Sequence, residues 1–284
     1  MQKGFTYVKP ISLSEALQHL NTNDVIVISG GTDIMIQLRY KSISPTKLVD
    51  VKDLEELKLI EEKGNTIYIG GAATFSQIVE NDIIKNNFPT LVEAAQEVGG
   101  PQIRNVGTLA GNVQTASPAG DGLLALCALD ATVELVSEKG SREVSIRDFV
   151  IGPKKTIKRH DEIIKCFKVK KQDWDYEKFF KVGKRNALAI SIVNGIIKIN
   201  FNEDETIKEA RVVLGAVGPT PKRLERAEKY LVGKTCQEET IEELKSIVSN
   251  DISPISDIRG SSEYRKHIAA VNCGRYIKLA KGGM

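Results

Sequence analysis

The chain has 284 residues, of which 41% are hydrophobic and 27% are charged, the usage of an ordinary soluble globular protein. That length allows one large domain or two ordinary ones with a sizeable core. Lysine and arginine number 40 against 37 aspartates and glutamates, so the net charge is only +3. The excess is spread along the chain in short basic runs such as "KVKK", Lys168–Lys171, so nucleic-acid binding is not supported.

The cysteines and the N-terminal segment indicate in which cellular compartment the protein is expected. Cys127, Cys166, Cys236 and Cys273 lie far apart without a CxxC spacing, so neither a disulfide framework nor a zinc or iron–sulfur site is expected. The N-terminal segment lacks the apolar core of a signal peptide, and no run approaches the roughly 18 apolar residues that a membrane span requires. We therefore expect a cytoplasmic protein without a membrane segment.

The first predicted section is a small βαβ unit. Ser12 and Glu15 form a capping box that predicts a helix. Val25–Ser29 is a short β-branched apolar run, typical of a strand covered on both faces. An amphipathic piece at Ile34–Leu38 and a second strand at Lys47–Val51 follow, which completes the unit.

The second predicted section mixes strands and helices. It begins with a strand at Thr66–Gly71 and continues into a helix with Thr74 as its N-cap. A further helix is expected over Leu91–Val98, then an apolar helix at "LLALCALDA" and a strand at Thr132–Ser137.

The pattern of predicted secondary structure changes near Trp174, where long strands are followed by three amphipathic helices. These helices are predicted at Arg223–Leu231, Glu239–Ser249 and Ser262–Ala280. We therefore expect a first domain over residues 1–173, with subdomains at about 1–56 and 57–173, and a C-terminal α+β domain over residues 174–284.

Two stretches of small residues carry the functional signal. Gly30 and Gly31 follow a predicted strand, where backbone amides can converge on a phosphate, although a tight turn is the commoner explanation for such a pair. They match neither the dinucleotide fingerprint nor the P-loop. "TLAGNVQTASPAGD" follows about eighty residues later, a separation that suits a long ligand with a central pyrophosphate. Asp121 at its end either binds ligand hydroxyls or caps the next helix.

Four segments together resemble a known family: "FTYVKPISLSEALQHL", "VISGGTDIMIQL", "PQIRNVGTLAGNVQTASPAGDGLLALCALDATVEL" and "SSEYRKHIAAV". They are similar to the FAD-binding medium subunit of the molybdenum hydroxylases, the xanthine dehydrogenase and carbon monoxide dehydrogenase family. The resemblance runs from Phe5 to the C-terminal helix. The lack of clustered cysteines disfavours the branch of the family that carries an additional [4Fe–4S] cluster.

The resemblance implies an α+β fold, in which an FAD-binding domain of the vanillyl-alcohol-oxidase (PCMH) type, with two subdomains clasping the cofactor, precedes a smaller C-terminal domain. The residues that it assigns to FAD are Val27, Ile28, Ser29, Gly30, Gly31, Thr32, Asp33, Ile34, Thr108, Leu109, Ala110, Gly111, Asn112, Asp121, Ile164 and Lys181. Ile164 would pack on the isoalloxazine, or be an ordinary core residue. Lys181 would lie near the polar edge of the ring, or be an exposed lysine beside buried Val182.

The implied function is an FAD-dependent electron-transfer subunit. A [2Fe–2S] small subunit and a molybdenum-cofactor large subunit would be its partners, and NAD⁺ or another molecule would accept the electrons. The alternatives are a free-standing flavin oxidase or dehydrogenase and a non-redox nucleotide-binding module of the same fold. No histidine or tyrosine in the matched motifs offers a catalytic base, and no metal site is expected. His19, His160 and His267 are expected in surface or capping roles.

Overall fold

The structure, a computed structural model, describes residues 4–281, and its first section is built on a three-stranded parallel sheet. Its elements in chain order are β1 (Thr6–Val8), α1 (Leu13–Gln18), β2 (Val25–Ile28), α2 (Ile34–Arg39) and β3 (Lys47–Asp50). The strand order is β1-β3-β2 with Val27 opposite Val49, so the predicted βαβ unit is confirmed.

Both faces of β2 are covered, as predicted, although β2 is an edge strand. Val25 and Val27 pack against the apolar cluster that contains α1, whereas Ile26 and Ile28 pack on the other side with Leu38 of α2. Val25, Ile26 and Val27 remain only half-buried because an edge strand has a neighbour on one side. The chain leaves this edge directly into the "SGGTD" stretch.

The second section surrounds a five-stranded antiparallel sheet with the order β4-β5-β10-β6-β7. Its elements in chain order are β4 (Ile60–Lys63), β5 (Thr66–Gly70), α3 (Phe75–Glu80), α4 (Asp82–Asn87), α5 (Pro89–Gln96), α6 (Pro101–Arg104), α7 (Leu109–Thr115), α8 (Asp121–Ala128), β6 (Thr132–Ser137), β7 (Gly140–Ser145), α9 (Ile146–Phe149), β8 (Val150–Gly152), β9 (Lys155–Thr156) and β10 (Ile163–Lys170). Strands β8 and β9 form a separate hairpin. Thr74 caps α3 through a capping box with Gln77, as the sequence predicted for the N-cap.

The third section is a four-stranded antiparallel sheet covered by three helices. Its elements are β11 (Tyr176–Val182), β12 (Val193–Phe201), β13 (Ile207–Gly215), β14 (Lys222–Arg223), α10 (Glu225–Leu231), α11 (Glu238–Asp251) and α12 (Ser262–Lys281). The strands follow one another in the order of the chain. The three helices pack on one face of the sheet, and Phe180 of β11 stacks on Tyr276 of α12 with ring centroids 5.1 Å apart.

Helix α8 joins the second section to the third. All eight of its residues are buried, and the six from Leu123 to Ala128 lie in one apolar cluster that also contains Phe179, Ile196 and Val213 of the third sheet. An α-helix that is apolar on every side requires cover on every side, and here the two sections provide it. None of the helices within residues 4–281 combines the length and the apolar character that crossing a membrane requires.

Candidate cofactor-binding site

The two stretches of small residues lie side by side. A Cβ atom added at Gly30 would lie 1.9 Å from the carbonyl oxygen of Val106, so only glycine permits this backbone contact. Val106 and Gly107 lead directly into Thr108. The contact therefore brings the segment Val27–Ile34 against the start of the segment Thr108–Asn112, although about eighty residues separate them in the sequence.

The "SGGTD" stretch keeps one polar group unsatisfied. The hydroxyl oxygen of Ser29 is buried and has no hydrogen-bond partner within residues 4–281, a costly state for a hydroxyl group. Gly31 has a φ of +70°, which turns the chain from β2 into α2. Asp33 accepts hydrogen bonds from Gln37 at 2.5 Å and from Thr115 at 3.4 Å, so α7 is tied to this stretch. A tight glycine turn and an unpaired buried hydroxyl group fit a ligand that supplies phosphate or hydroxyl oxygens.

The side chains of the second segment mostly support the protein itself. Thr108 caps α7 by accepting from the Gly111 amide at 3.1 Å. The carboxamide oxygen of Asn112 accepts from the amide of Leu123 at 3.0 Å, which satisfies the first turn of α8. Gly111 is exposed and helical, and a Cβ added there would approach only the Thr108 hydroxyl at 3.0 Å. Gly111 therefore offers a ligand free space above the backbone.

The alternative role of Asp121 as the N-cap of α8 is wrong. Gly120 occupies the N-cap position, and Asn112 supplies the side-chain acceptor for this helix. Asp121 is buried and accepts hydrogen bonds from Lys181 at 2.6 Å, Asn194 at 2.7 Å and Ser191 at 3.1 Å. Burial raises the pKa of the Asp121 carboxyl group, and the adjacent Lys181 ammonium opposes that rise.

The alternative of an exposed Lys181 is also wrong, since its side chain is only 8% exposed. Besides the ion pair with Asp121, its ammonium group donates to the carbonyl oxygen of Glu97 at 2.9 Å. Lys181 thereby joins β11 to the end of α5 and the start of α8. It borders a cavity of about 630 Å³ whose other walls include Arg185 and Tyr276.

Ile164 is a core residue. Its side chain is 5% exposed and lies in the same apolar cluster as α8, at a bulge where β10 shifts its register against β6. Its carbonyl oxygen approaches Gly71, whose own carbonyl oxygen accepts from the Ala110 amide at 3.2 Å. The backbone of Ile164 thus supports the segment Thr108–Asn112 from behind.

The sequence interpretation missed the partners of Asp121. Ser191 and Asn194 lie about seventy residues further along the chain, and Asn194 stands in the otherwise apolar run "ISIVNGIIKI". A buried polar residue in such a strand requires a partner, which is the signal that identifies it. Thr115, which contacts Asp33, was missed because nothing local marks it.

Two protein families match the chain in succession. The family described as the FAD binding domain in molybdopterin dehydrogenase matches residues 3–169. The family described as the CO dehydrogenase flavoprotein C-terminal domain matches residues 178–280. Together the two matches cover almost the whole chain.

Proteins of similar sequence and structure agree with these matches. The nicotinate dehydrogenase FAD-subunit of Eubacterium barkeri is 35% identical over 271 residues, which cover 93% of this chain and 92% of that protein. The glyceraldehyde dehydrogenase medium chain of Sulfolobus acidocaldarius is 36% identical over 270 residues, which cover 94% and 95%. The crystal structure of quinoline 2-oxidoreductase from Pseudomonas putida 86 contains a chain that matches with a TM-score of 0.95 at 26% identity, covering 100% of this chain and 99% of that one.

Proposed function

The chain belongs to the FAD-binding subunits of the molybdenum hydroxylases, with FAD as its cofactor, and on this premise we propose the path of its electrons. Electrons arrive from the [2Fe–2S] clusters of a small partner subunit and leave to NAD⁺ or another acceptor. A large subunit with the molybdenum cofactor oxidises the substrate. The flavin supplies the redox chemistry, and this chain binds and orients it. A cytoplasmic location belongs to the proposal, since its four cysteines are free and buried.

One observation supports the proposed position of FAD. The contact of Gly30 with Val106 joins the two small-residue segments and leaves the Ser29 hydroxyl group buried beside them without a partner. We assign the pyrophosphate region to Val27–Ile34 and Thr108–Asn112. Asp121 and Lys181 belong to the other end of the cofactor site, and Ile164 supports it from the core.

The proposed domain boundary lies near residue 173. The first family match ends at residue 169 and the second begins at residue 178. β10 ends at Lys170 and β11 begins at Tyr176, so the boundary falls in the connection between two sheets. In this proposal the cofactor is bound where the two domains meet, at the Asp121–Lys181 pair.

The test uses the whole chain, alone and with its partner subunits. Purified alone, the chain is expected to bind one FAD and to show no turnover of purines or aldehydes. Co-expression with the two partner subunits is expected to yield a complex in which such a substrate bleaches the flavin. Anaerobic NADH is expected to bleach it from the other side if NAD⁺ is the acceptor. Rapid substrate oxidation by the isolated chain would establish a free-standing oxidase instead.

A further inference from the structure

Two cationic side chains bind four consecutive carbonyl oxygens at the end of α5. One guanidinium nitrogen of Arg104 donates to Gln96 and Gly99, both at 2.9 Å, and reaches Val98 at 3.4 Å. The Lys181 ammonium group takes the remaining carbonyl oxygen, that of Glu97, at 2.9 Å. The last carbonyl groups of a helix lack partners within the helix, so these contacts fix the turn Gln96–Gly100.

The conformation of this turn is tightly constrained. Gly99 has a φ of +51°, and a Cβ added there would lie 2.9 Å from the side chain of Ile103. The turn returns at once into α6, which Pro101 begins and Arg104 ends. Arg104 therefore reaches back over its own helix to hold the residues that precede it.

The turn presents unpaired amides beside exposed apolar groups. Neither Gly99 nor Gly100 donates an amide hydrogen bond within residues 4–281, although Gly100 is buried. The large apolar side chains beside the turn are unusually exposed: Ile103 by 41%, Val106 by 46% and Leu188 by 53%.

These groups adjoin the site described above on both sides. Val106 is the residue whose carbonyl oxygen contacts Gly30, and Leu188 approaches Gly100 from the loop that follows β11. Lys181 borders the other end of the turn. Amide donors next to apolar walls fit a flat heteroaromatic ring that has acceptors along one edge.

We propose that Arg104 is a positioning residue for the isoalloxazine end of FAD. By binding the carbonyl groups of Gln96, Val98 and Gly99, it holds the turn so that the Gly99 and Gly100 amides face the ring. This inference rests on the proposed placement of FAD. The competing explanation is that Arg104 only caps α5. In that case its loss lowers the stability of the protein and weakens FAD binding and ADP binding to the same extent.

ADP separates the two explanations because it carries the pyrophosphate but lacks the ring. Arg104→Lys keeps the charge, but the lysine side chain ends one bond short of the guanidinium nitrogen that binds all three carbonyl oxygens. We expect this variant to bind FAD about tenfold or more weakly, with ADP affinity within about twofold of the wild type. The visible band of the bound flavin is expected to shift as well. Arg147→Lys is the matched control, since Arg147 forms its hydrogen bond with Glu225 and is not part of the proposed FAD site.

A second variant keeps the test decisive if Arg104→Lys fails to fold. A Cβ added at Gly100 would meet only the flexible ends of Gln102 and Leu188, at 3.1 and 3.2 Å, so Gly100→Ala is expected to fold. It places a methyl group on the turn itself and should also weaken FAD binding more than ADP binding. Equal losses for FAD and ADP, or no loss, in the folded variants would overturn the inference. A wild-type protein that does not bind FAD would instead overturn the proposed function.

Discussion

Two buried polar clusters lie on the same face of the third sheet, yet only one of them borders the proposed cofactor site. The cleft cluster consists of Asp121, Lys181, Ser191 and Asn194. The seam cluster consists of Thr90, Glu177, Lys198 and Trp174. Each includes one residue of β11 and one of β12, four positions apart along each strand, so the clusters are about 13 Å apart.

The seam cluster is closed. The Lys198 ammonium group lies 2.9 Å from the Glu177 carboxylate, which also accepts from the Thr90 hydroxyl at 2.9 Å. The Trp174 ring covers Lys198, whose side chain is 1% exposed. Burial lowers the pKa of Lys198, and the Glu177 carboxylate opposes that change. Because these partners all belong to the protein, the seam cluster joins β11 and β12 to α5, which carries Thr90.

The cleft cluster is not closed. Lys181 borders the cavity, and the carboxamide oxygen of Asn194 is buried without a partner within the described residues. The comparison shows that burial of charge alone does not mark a site. A site is marked when a cluster beside a cavity still contains a polar group without a hydrogen-bond partner, because a ligand can supply that partner. Changes in the two clusters should therefore affect stability similarly and FAD binding differently.

The largest effect is expected for Asp121→Ala, which leaves Lys181 buried without its counter-charge. The free energy of unfolding of the apoprotein should fall by about 3 to 5 kcal/mol. FAD binding should weaken by about 1.5 to 3 kcal/mol, the range for charge-assisted hydrogen bonds. Urea denaturation and FAD titration measure the two quantities. Adding Lys181→Met should recover much of the stability but not the FAD affinity, and recovery of both would contradict a role for this pair in the site.

The matching change in the seam cluster is Lys198→Met, which leaves the Glu177 carboxylate without its buried cation. We expect a loss of about 3 kcal/mol in the free energy of unfolding. The affinity for FAD should change by less than about 0.5 kcal/mol, since distant sites act independently. The same two titrations apply. A large loss of FAD affinity in this variant would show that the clusters act as one unit and would break the comparison.

Gly111→Val sharpens the comparison by blocking the ligand without touching either cluster. Gly111 is helical and exposed, but a Cβ there lies 3.0 Å from the Thr108 hydroxyl oxygen that caps α7, so the free energy of unfolding should fall by about 1 kcal/mol. The branched side chain occupies the space above the backbone, and FAD binding should weaken by about 2 kcal/mol or more. Gly111→Ala adds a single carbon and should have a smaller effect. A Gly111→Val protein as yellow as the wild type would show that FAD does not approach here.

Sequence reasoning reached the fold because its signals are local. The Thr74 capping box, the βαβ pattern around Val25–Ser29 and the apolar helix "LLALCALDA" each determine an element within a few residues. The small-residue segments indicated a candidate ligand site for the same reason, and the family resemblance assigned FAD to it. The pairing of Asp121 with Lys181 was not predictable, because it depends on how α8 docks on the third sheet, sixty residues away along the chain. Local capping preferences made Asp121 a plausible cap, and only the position of Asn112 shows otherwise.

A third ionic group lies beside the cleft cluster, within the C-terminal part of the chain. Arg265 is 3% exposed and donates to the carbonyl oxygen of Ile192 at 2.5 Å and to the Asp257 carboxylate at 2.7 Å. Burial alone raises the pKa of Asp257, but bonds from the Arg259 amide and from both guanidinium groups outweigh it and lower the pKa to about 2. This group holds Ile192, which lies between Ser191 and the start of β12, where Asn194 stands.

The smallest predicted effect is the acid sensitivity that Asp257 confers. Its folded-state pKa is below the unfolded value of about 3.9, so its stabilisation is present above about pH 4 and is lost as the pH falls toward 2. The side chain is 21% exposed, and solvent screening reduces the expected contribution to about 1 kcal/mol. Urea denaturation at pH 6, 4 and 3 should show that wild type loses about half of this amount by pH 3 relative to Asp257→Asn, which has no carboxyl group to titrate there. Other acidic groups titrate in both proteins and cancel in the difference, so parallel pH profiles would mean that the Asp257–Arg265 pair does not stabilise the start of β12.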